Sequence, residues 1–315
     1  SGRYMIAAMR QLGFRVIGYD YRAQADIEAD ILGIIDREKP DCVFTLKGER
    51  LSPTLMKRIR RSGCRTILWI TTSLLEDWMV PFARSHDYVV TNVEEQIEYF
   101  RGRGVRNITW VPQGFDPSFF GIERGKTDDD GKPCTDVAMI GSMGQPNYKR
   151  RCEMVILLRR AGIDVKWWGP RLAREVRNIP YFLGGVHRAW AGREVYMKDF
   201  ADVIRHTRIF IGQDADRSME GRSLSNRVFA VLGCGGFYLC RRTQGVESLF
   251  NVGSELAVFD NKVDMLDKIH YYLSHAEERK QIALEGQKKV LSHYTYKQQM
   301  EKIFLWAGVM KREQE

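Results

Sequence analysis

The sequence predicts an α/β protein built from two Rossmann-like halves, and three observations predict it. Short apolar runs alternate with segments of helical period along the whole chain. In the second half, glycines stand directly after most of those runs. A polar, glycine-bearing stretch at 121–133, GIERGKTDDDGKP, divides the alternation into two series. Short apolar strands separated by helices make a parallel sheet with helices on both faces.

The first series opens on a helix. Met5, Ala8, Met9 and Leu12 fall at i, i+3, i+4 and i+7, and Gly13 suits the stop. A strand is expected at 14–19, then a helix at about 24–38 that ends before Pro40. The alternation continues with a strand at 41–46, helix 53–61, strand 65–70, helix 75–84, strand 87–90, helix 93–103 and strand 107–111. A Rossmann-like half normally opens on a strand, a glycine turn and then a helix. Ser1-Gly2 is read as the stub of that turn, with the first strand missing from the given chain. The stretch 121–133 is read as a linker, and its triple aspartate, Asp128 to Asp130, as solvated rather than metal-binding.

The second series starts with a strand at 136–140, followed by Gly141, Ser142, Met143 and Gly144. A helix at 147–161 carries Met154, Leu157, Leu158 and Ala161 on one face. Strand 164–168, helix 193–206 and strand 208–211 follow. Next comes the stretch that organises the half, GRSLSNRVFAVLGCGGFYLCRR at 221–242. Ser225 suits a helix N-cap, Val228 to Leu232 form a short buried helix, and Phe237 to Cys240 form a strand. A strand at 255–259 and helices at 262–274, 276–292 and 296–310 complete the chain. The expected domains are therefore 1–120 and 134–295.

At 315 residues, with 44% hydrophobic and 28% charged residues, the chain has the size and composition of a soluble two-domain protein. No run approaches the length of a membrane span, and the N-terminus has no signal-peptide core. The six cysteines form no CxxC and no metal-like cluster, which fits a reducing, cytoplasmic setting. A net charge of +9 favours anionic partners such as nucleotide phosphates and permits nucleic acid or an anionic surface.

Arg227 is the odd residue of the organising stretch. It falls in the first turn of a buried helix, where a cation needs a partner. A helix N-terminus bearing an arginine is a natural seat for phosphate; a structural ion pair is the alternative. In open α/β sheets, ligands bind at the carboxyl ends of strands. In the first half those ends carry Asp20, Lys47-Gly48, Thr71 to Ser73, Asn92 and Gln113-Gly114. In the second they carry Gly141-Ser142, Gly169-Pro170, Gly212 to Asp214 and Arg241 to Gly245.

The second half resembles the CgeB-like, spore-maturation-type glycosyltransferases, within the group-1 glycosyltransferases of the GT-B fold. The resembling pieces are GSMGQPNYKRRCEMVILLRRAGIDVKWWG, SNRVFAVLGCGGFYLC, and the run from GVESLF to YTYKQQM, together spanning roughly 136–300. FTLKGERL, TILWITTS and ITWVPQGFDPSFF in the first half resemble the family more loosely. The resemblance implies two Rossmann-like domains facing across a cleft, with a last helix, here 296–315, that packs back on the N-terminal domain. It implies transfer of a sugar from a nucleotide-sugar donor, a UDP-sugar first, without metal or other cofactor. The acceptor is unidentified: a glycan, a protein or a modified DNA base.

On this sequence the donor-binding candidates are Gly141, Ser142, Arg150, Gly169, Asn226, Arg227, Gly245, Val246 and Glu247. Backbone N–H groups at 141–142 and 245–246 would receive phosphate or sugar hydroxyls, and Glu247 a sugar or ribose hydroxyl. Arg227 is the catalytic candidate, neutralising the leaving diphosphate. An inverting enzyme needs a base, for which Asp20 and Asp77 are carried forward from a group that includes Glu76, His86 and Asp116. A retaining enzyme, which the resemblance favours, can let the diphosphate take the proton. The pair Asp214 and Asp216 is read as loop and capping residues rather than a metal site. One departure stands out. Relatives usually carry glutamate where Ala230 stands, often with another where Arg222 stands. Glu220 or Glu247 substitutes, the nucleotide sits differently, or the protein is a degenerate transferase that binds nucleic acid or a polymer.

Overall fold

The structure is a computed structural model that describes residues 2–121, 135–212 and 224–311. The linker 122–133, with Asp128 to Asp130, lies outside the described residues, as do Asp214, Asp216, Glu220 and Arg222. The chain forms two compact units. One is built from 2–113 and 296–311 together with Leu224, the other from 114–121, 135–212 and 225–295.

In unit 1 the order is α1 (Gly2–Gln11), α2 (Ile27–Glu38), β1 (Cys42–Leu46), α3 (Pro53–Arg61), β2 (Arg65–Ile70), α4 (Met79–Ala83), β3 (Tyr88–Thr91), α5 (Gln96–Arg101) and β4 (Ile108–Trp110). Unit 2 carries α6 (Pro117–Phe120), β5 (Thr135–Ile140), α7 (Lys149–Arg160), β6 (Val165–Trp168), α8 (Ile179–Leu183), α9 (Met197–Arg205), β7 (Thr207–Gly212) and α10 (Asn226–Gly233). It continues through β8 (Tyr238–Arg241), α11 (Gln244–Leu249), β9 (Ala257–Phe259), α12 (Lys262–Ser274) and α13 (Ala276–His293). The last helix, α14 (Tyr296–Trp306), belongs to unit 1.

Unit 1 is a parallel sheet of order β1-β2-β3-β4 with a core on each face. Side chains alternate along β2 because the strand period is two. Leu68 and Ile70 pack with Leu55, Ile59 and Phe82 from α3 and α4, while Ile67 and Trp69 pack with Met5 of α1 and Met300 and Phe304 of α14. Tyr4 and Tyr296 stack at 5.5 Å where α1 and α14 meet. Helix starts follow local chemistry. Ser52 accepts the Leu55 N–H at 3.0 Å ahead of Pro53, and Asp26 accepts the Ala29 N–H ahead of α2.

The strand expected at 14–19 is not one. Phe14 and Val16 pack on the α1–α14 side of the core, but no neighbouring strand among the described residues pairs with their backbone, so no ladder forms. The boundary between the units falls at 113/114 rather than near 120. The Phe115 N–H donates to Tyr294 O at 2.9 Å, and the Phe115 ring fills the space over Gly233, where a Cβ would come within 2.5 Å of it. These contacts hold the segment after β4 within unit 2.

Unit 2 is a five-stranded parallel sheet of order β6-β5-β7-β8-β9. Its core joins Val137 and Met139 of β5, Trp167 of β6 and Ile209 and Ile211 of β7 to Val155 and Leu158 of α7 and Met265 and Ile269 of α12. No helix among the described residues is long and apolar enough to cross a membrane.

A buried histidine gives unit 1 an acid sensitivity. His86 packs edge-on against the Phe82 ring, and its Nδ1 lies 2.9 Å from Phe82 O. Burial lowers its pKa from 6.5 to about 4, the nearby Asp87 opposing and Arg60 assisting. The unfolded chain therefore takes up this proton first. Its contribution to stability is complete above the ordinary histidine pKa and is lost as pH falls through the folded value. Urea titrations near neutral pH and at about pH 4 should show about 3 kcal/mol less stability at the acid end from this group. His86→Gln should flatten that slope; an unchanged slope would remove the assignment.

Candidate active site

In unit 2 the chain order of the sheet is second, first, third, fourth, fifth, so the connections leave β5 and β7 in opposite directions. The carboxyl ends of those two strands flank the switch point, where open α/β sheets take their ligands. A narrow crevice lies there, lined by Met139, Ile140 and Gly141 from the end of β5, Ile211 from β7, Met143, and two arginines, Arg151 and Arg227.

Gly141 is fixed from three sides. Its N–H donates to Trp168 O at 2.9 Å, and its carbonyl accepts the Trp167 indole N–H at 2.6 Å. Its φ of 134° lies in the region that side chains other than hydrogen rarely adopt. A Cβ added there would lie 3.0 Å from Arg151 Nη1 and 3.1 Å from Arg227 Nη2. Two guanidinium groups thus converge on one backbone position.

Each arginine is supplied by the first turn of a helix that follows one of the two strands. Arg151 belongs to α7 and is 6% exposed; its Nη1 donates to Ser142 O at 3.0 Å and its guanidinium carbon stands 4.5 Å over the Tyr148 ring. Arg227 is half-buried in the first turn of α10, whose N-cap Ser225 accepts the Arg227 N–H at 3.4 Å. Both helix N-termini add partial positive charge at the same end of the sheet. Beside Arg227, Asn226 Oδ1 is buried with no hydrogen-bond partner among the described residues. The crevice thus gathers two guanidinium groups beside an amide oxygen that can accept one more hydrogen bond.

The other expected residues fall as follows. The Ser142 N–H has no acceptor among the described residues, whereas the Gly141 N–H is occupied by the sheet and cannot receive a phosphate. Arg150 is exposed on α7; Arg151 beside it is the one turned into the crevice. Gly169 follows β6, with its N–H donating to Arg193 O and its carbonyl accepting the Trp190 indole N–H at 2.9 Å. Gly245 and Val246 are buried in α11 at the end of β8, outside the crevice, and Thr243 caps the Val246 N–H. Glu247 pairs with Arg242, which also holds Asp260 at 2.7 Å. These two carboxylates raise the Arg242 pKa, Asp260 first. Ala230 is buried within α10.

In unit 1, Asp20 caps a short 3₁₀ turn by accepting the Arg22 N–H at 3.2 Å, and Asp77 is exposed ahead of α4. Glu76 accepts the Trp78 indole N–H, and Asp116, which belongs to unit 2, caps α6 through the Ser118 N–H at 3.0 Å. Among the described residues no group of three or more His, Cys, Asp or Glu side chains is placed to hold a metal ion.

Comparison with known proteins follows the same lines. Residues 150–304 match the family described as glycosyl transferase-like, a region that includes α7 and α10 with both arginines. The fold is that of the GT-B glycosyltransferases, and the match to the glycosyl transferase-like family over 150–304 supports a glycosyltransferase. The chain is similar to spore protein CgeB of Bacillus subtilis (strain 168), with 21% identity over 276 residues, covering 85% of this chain and 83% of that protein. Among solved structures, a glycosyltransferase from Rickettsia africae ESF-5 aligns with a TM-score of 0.63 and 11% identity, over 98% of this chain and 88% of that one. HepE of Anabaena, solved with UDP-glucose, aligns with a TM-score of 0.66 and 10% identity, over 91% and 83% of the two chains.

Proposed function

We propose that unit 2 binds a nucleoside-diphosphate sugar, a UDP-sugar first, and that the sugar passes to an acceptor hydroxyl held by unit 1. The observation that carries this is the convergence of Arg151 and Arg227 on Gly141 at the switch point of the sheet. In the reaction the bond between the anomeric carbon and the diphosphate oxygen breaks, and a bond to the acceptor oxygen forms. Negative charge grows on the departing diphosphate, where two guanidiniums lower its energy. They supply the positive charge that a divalent cation would otherwise bring, which supports metal-independent transfer. Asn226 is assigned to a sugar or nucleotide hydroxyl through its unpartnered oxygen. We assign the acceptor proton to the leaving diphosphate and retention at the anomeric carbon, as the resemblance to the group-1 transferases favours. That HepE is solved with UDP-glucose supports a uridine nucleotide.

A second reading rests on Ala230. Its methyl group cannot accept a ribose hydroxyl, so a degenerate transferase that binds nucleic acid or a polymer without turnover is the competing proposal. One experiment separates them. With EDTA present, thermal stability is measured against UDP, GDP, ADP and their sugars, and nucleotide release is followed. The transferase reading expects stabilisation and release with one of them, UDP first. No response to any, combined with salt-sensitive DNA binding, would favour the second reading.

A further inference from the structure

We infer that the segment 171–188 of unit 2 docks on an anionic phospholipid surface. Three of the most exposed large apolar side chains stand within it: Val176 at 83%, Ile179 at 49% and Leu183 at 85%. The backbone is helical from 176 to 183, first as a 3₁₀ turn and then as α8. Spacings of three and four residues set the three side chains on one face. The opposite face is anchored: Asn178 and Tyr181 are buried, Asn178 Oδ1 accepts the Gln145 N–H at 3.0 Å, and Tyr181 OH accepts from Gln145 Nε2 at 3.2 Å. The aliphatic tips are thus held outward by a fixed underside.

Within 171–188 the exposed side chains also include Arg171, Arg174, Arg177 and Arg188, against a single carboxylate in that segment, Glu175, which pairs with Arg177. Aliphatic side chains with arginines in the same segment match the boundary of an anionic bilayer, where the tips enter the acyl region and the guanidiniums reach the headgroups. Other occupants fit less well. A second copy joined by a two-fold axis would set arginines against arginines. Nucleic acid would gain nothing from three aliphatic tips, which neither contact phosphate nor stack on a base as an aromatic ring does. Three side chains make the binding weak and reversible.

The test is co-sedimentation of the full chain with vesicles of phosphatidylcholine alone and of phosphatidylcholine mixed with phosphatidylglycerol. Wild type should pellet with the anionic vesicles only, and added salt should release it. Val176→Ser with Leu183→Ser should weaken partition by at least about tenfold, and Arg174→Gln with Arg177→Gln by a similar factor of about ten. Both pairs lie on the surface, so unfolding curves should match wild type. Wild type left in the supernatant with anionic vesicles would overturn the inference. So would a serine pair that pellets as well as wild type, or self-association that the serine pair abolishes without any vesicle binding.

Discussion

Arg227→Ala should lower donor turnover by about 10²- to 10³-fold while changing unfolding free energy by no more than about 1 kcal/mol. Arg227 is half-buried in the first turn of α10, and the helix it starts is capped by Ser225 and packed by Val228 to Leu232, none of which the substitution touches. The lost group is a guanidinium nitrogen beside Gly141, at the carboxyl end of β5. A charge that acts on the departing diphosphate appears in kcat/KM rather than in folding. Arg227→Lys keeps the charge without the fork and should recover only part of the rate. Arg151→Ala is the contrasting case. That side chain is 6% exposed, bonded to Ser142 O and stacked on Tyr148, so its loss should cost about 2–3 kcal/mol of stability as well as activity. Nucleotide release and urea titration on the same preparations decide the matter. Equal losses of rate and stability in Arg227→Ala would mean a structural arginine.

Gly169→Ala should destabilise the protein by about 3 kcal/mol and weaken nucleotide binding with it. A Cβ at this position would lie 2.2 Å from Gly141 O and 2.7 Å from Trp167 Nε1, the two partners of the bond that fixes Gly141. The obstacle is backbone, which cannot swing away as a side chain can. Relief requires parting the ends of β5 and β6, which register as Ile140 against Trp168. The movement would carry Gly141 away from both arginines. Gly33→Ala is the control, since a Cβ there meets nothing within 4 Å in the middle of α2. It should be neutral or stabilising by about 0.5–1 kcal/mol. A Gly169→Ala protein as stable as wild type would show that the strand ends are softer than their hydrogen bonds imply.

Local periodicity made much of this fold legible. Pro53–Arg61, Arg65–Ile70 and Lys262–Ser274 sit where helical phase, strand run and capping residue place them, because each carries its own boundaries. Phe14 to Tyr19 misled because an apolar alternation describes a segment and a strand also needs a neighbour. The helical turns at 176–183 are hard to read from sequence because their outward face carries Val176, Ile179 and Leu183, which inverts the usual pattern. At the site, Arg227 was legible as a cation in an apolar helix. Arg151 was hidden in the run Lys149, Arg150, Arg151, although its phase reveals it: Arg151, Met154, Val155 and Leu158 follow i, i+3, i+4, i+7 and are the buried side of α7. The convergence of two helices on Gly141 is a tertiary fact that no window of sequence contains.

The packing of α14 on α1 sets an order of events during synthesis. Met5, Ile67 and Trp69 emerge from the ribosome early, but the side chains that cover them, Tyr296, Met300 and Phe304, emerge hundreds of residues later. One face of the first sheet must therefore wait, wet and apolar, while the whole of the second unit is translated and can already close on itself. A chaperone that recognises nascent apolar surface would find its longest-lived target on that face.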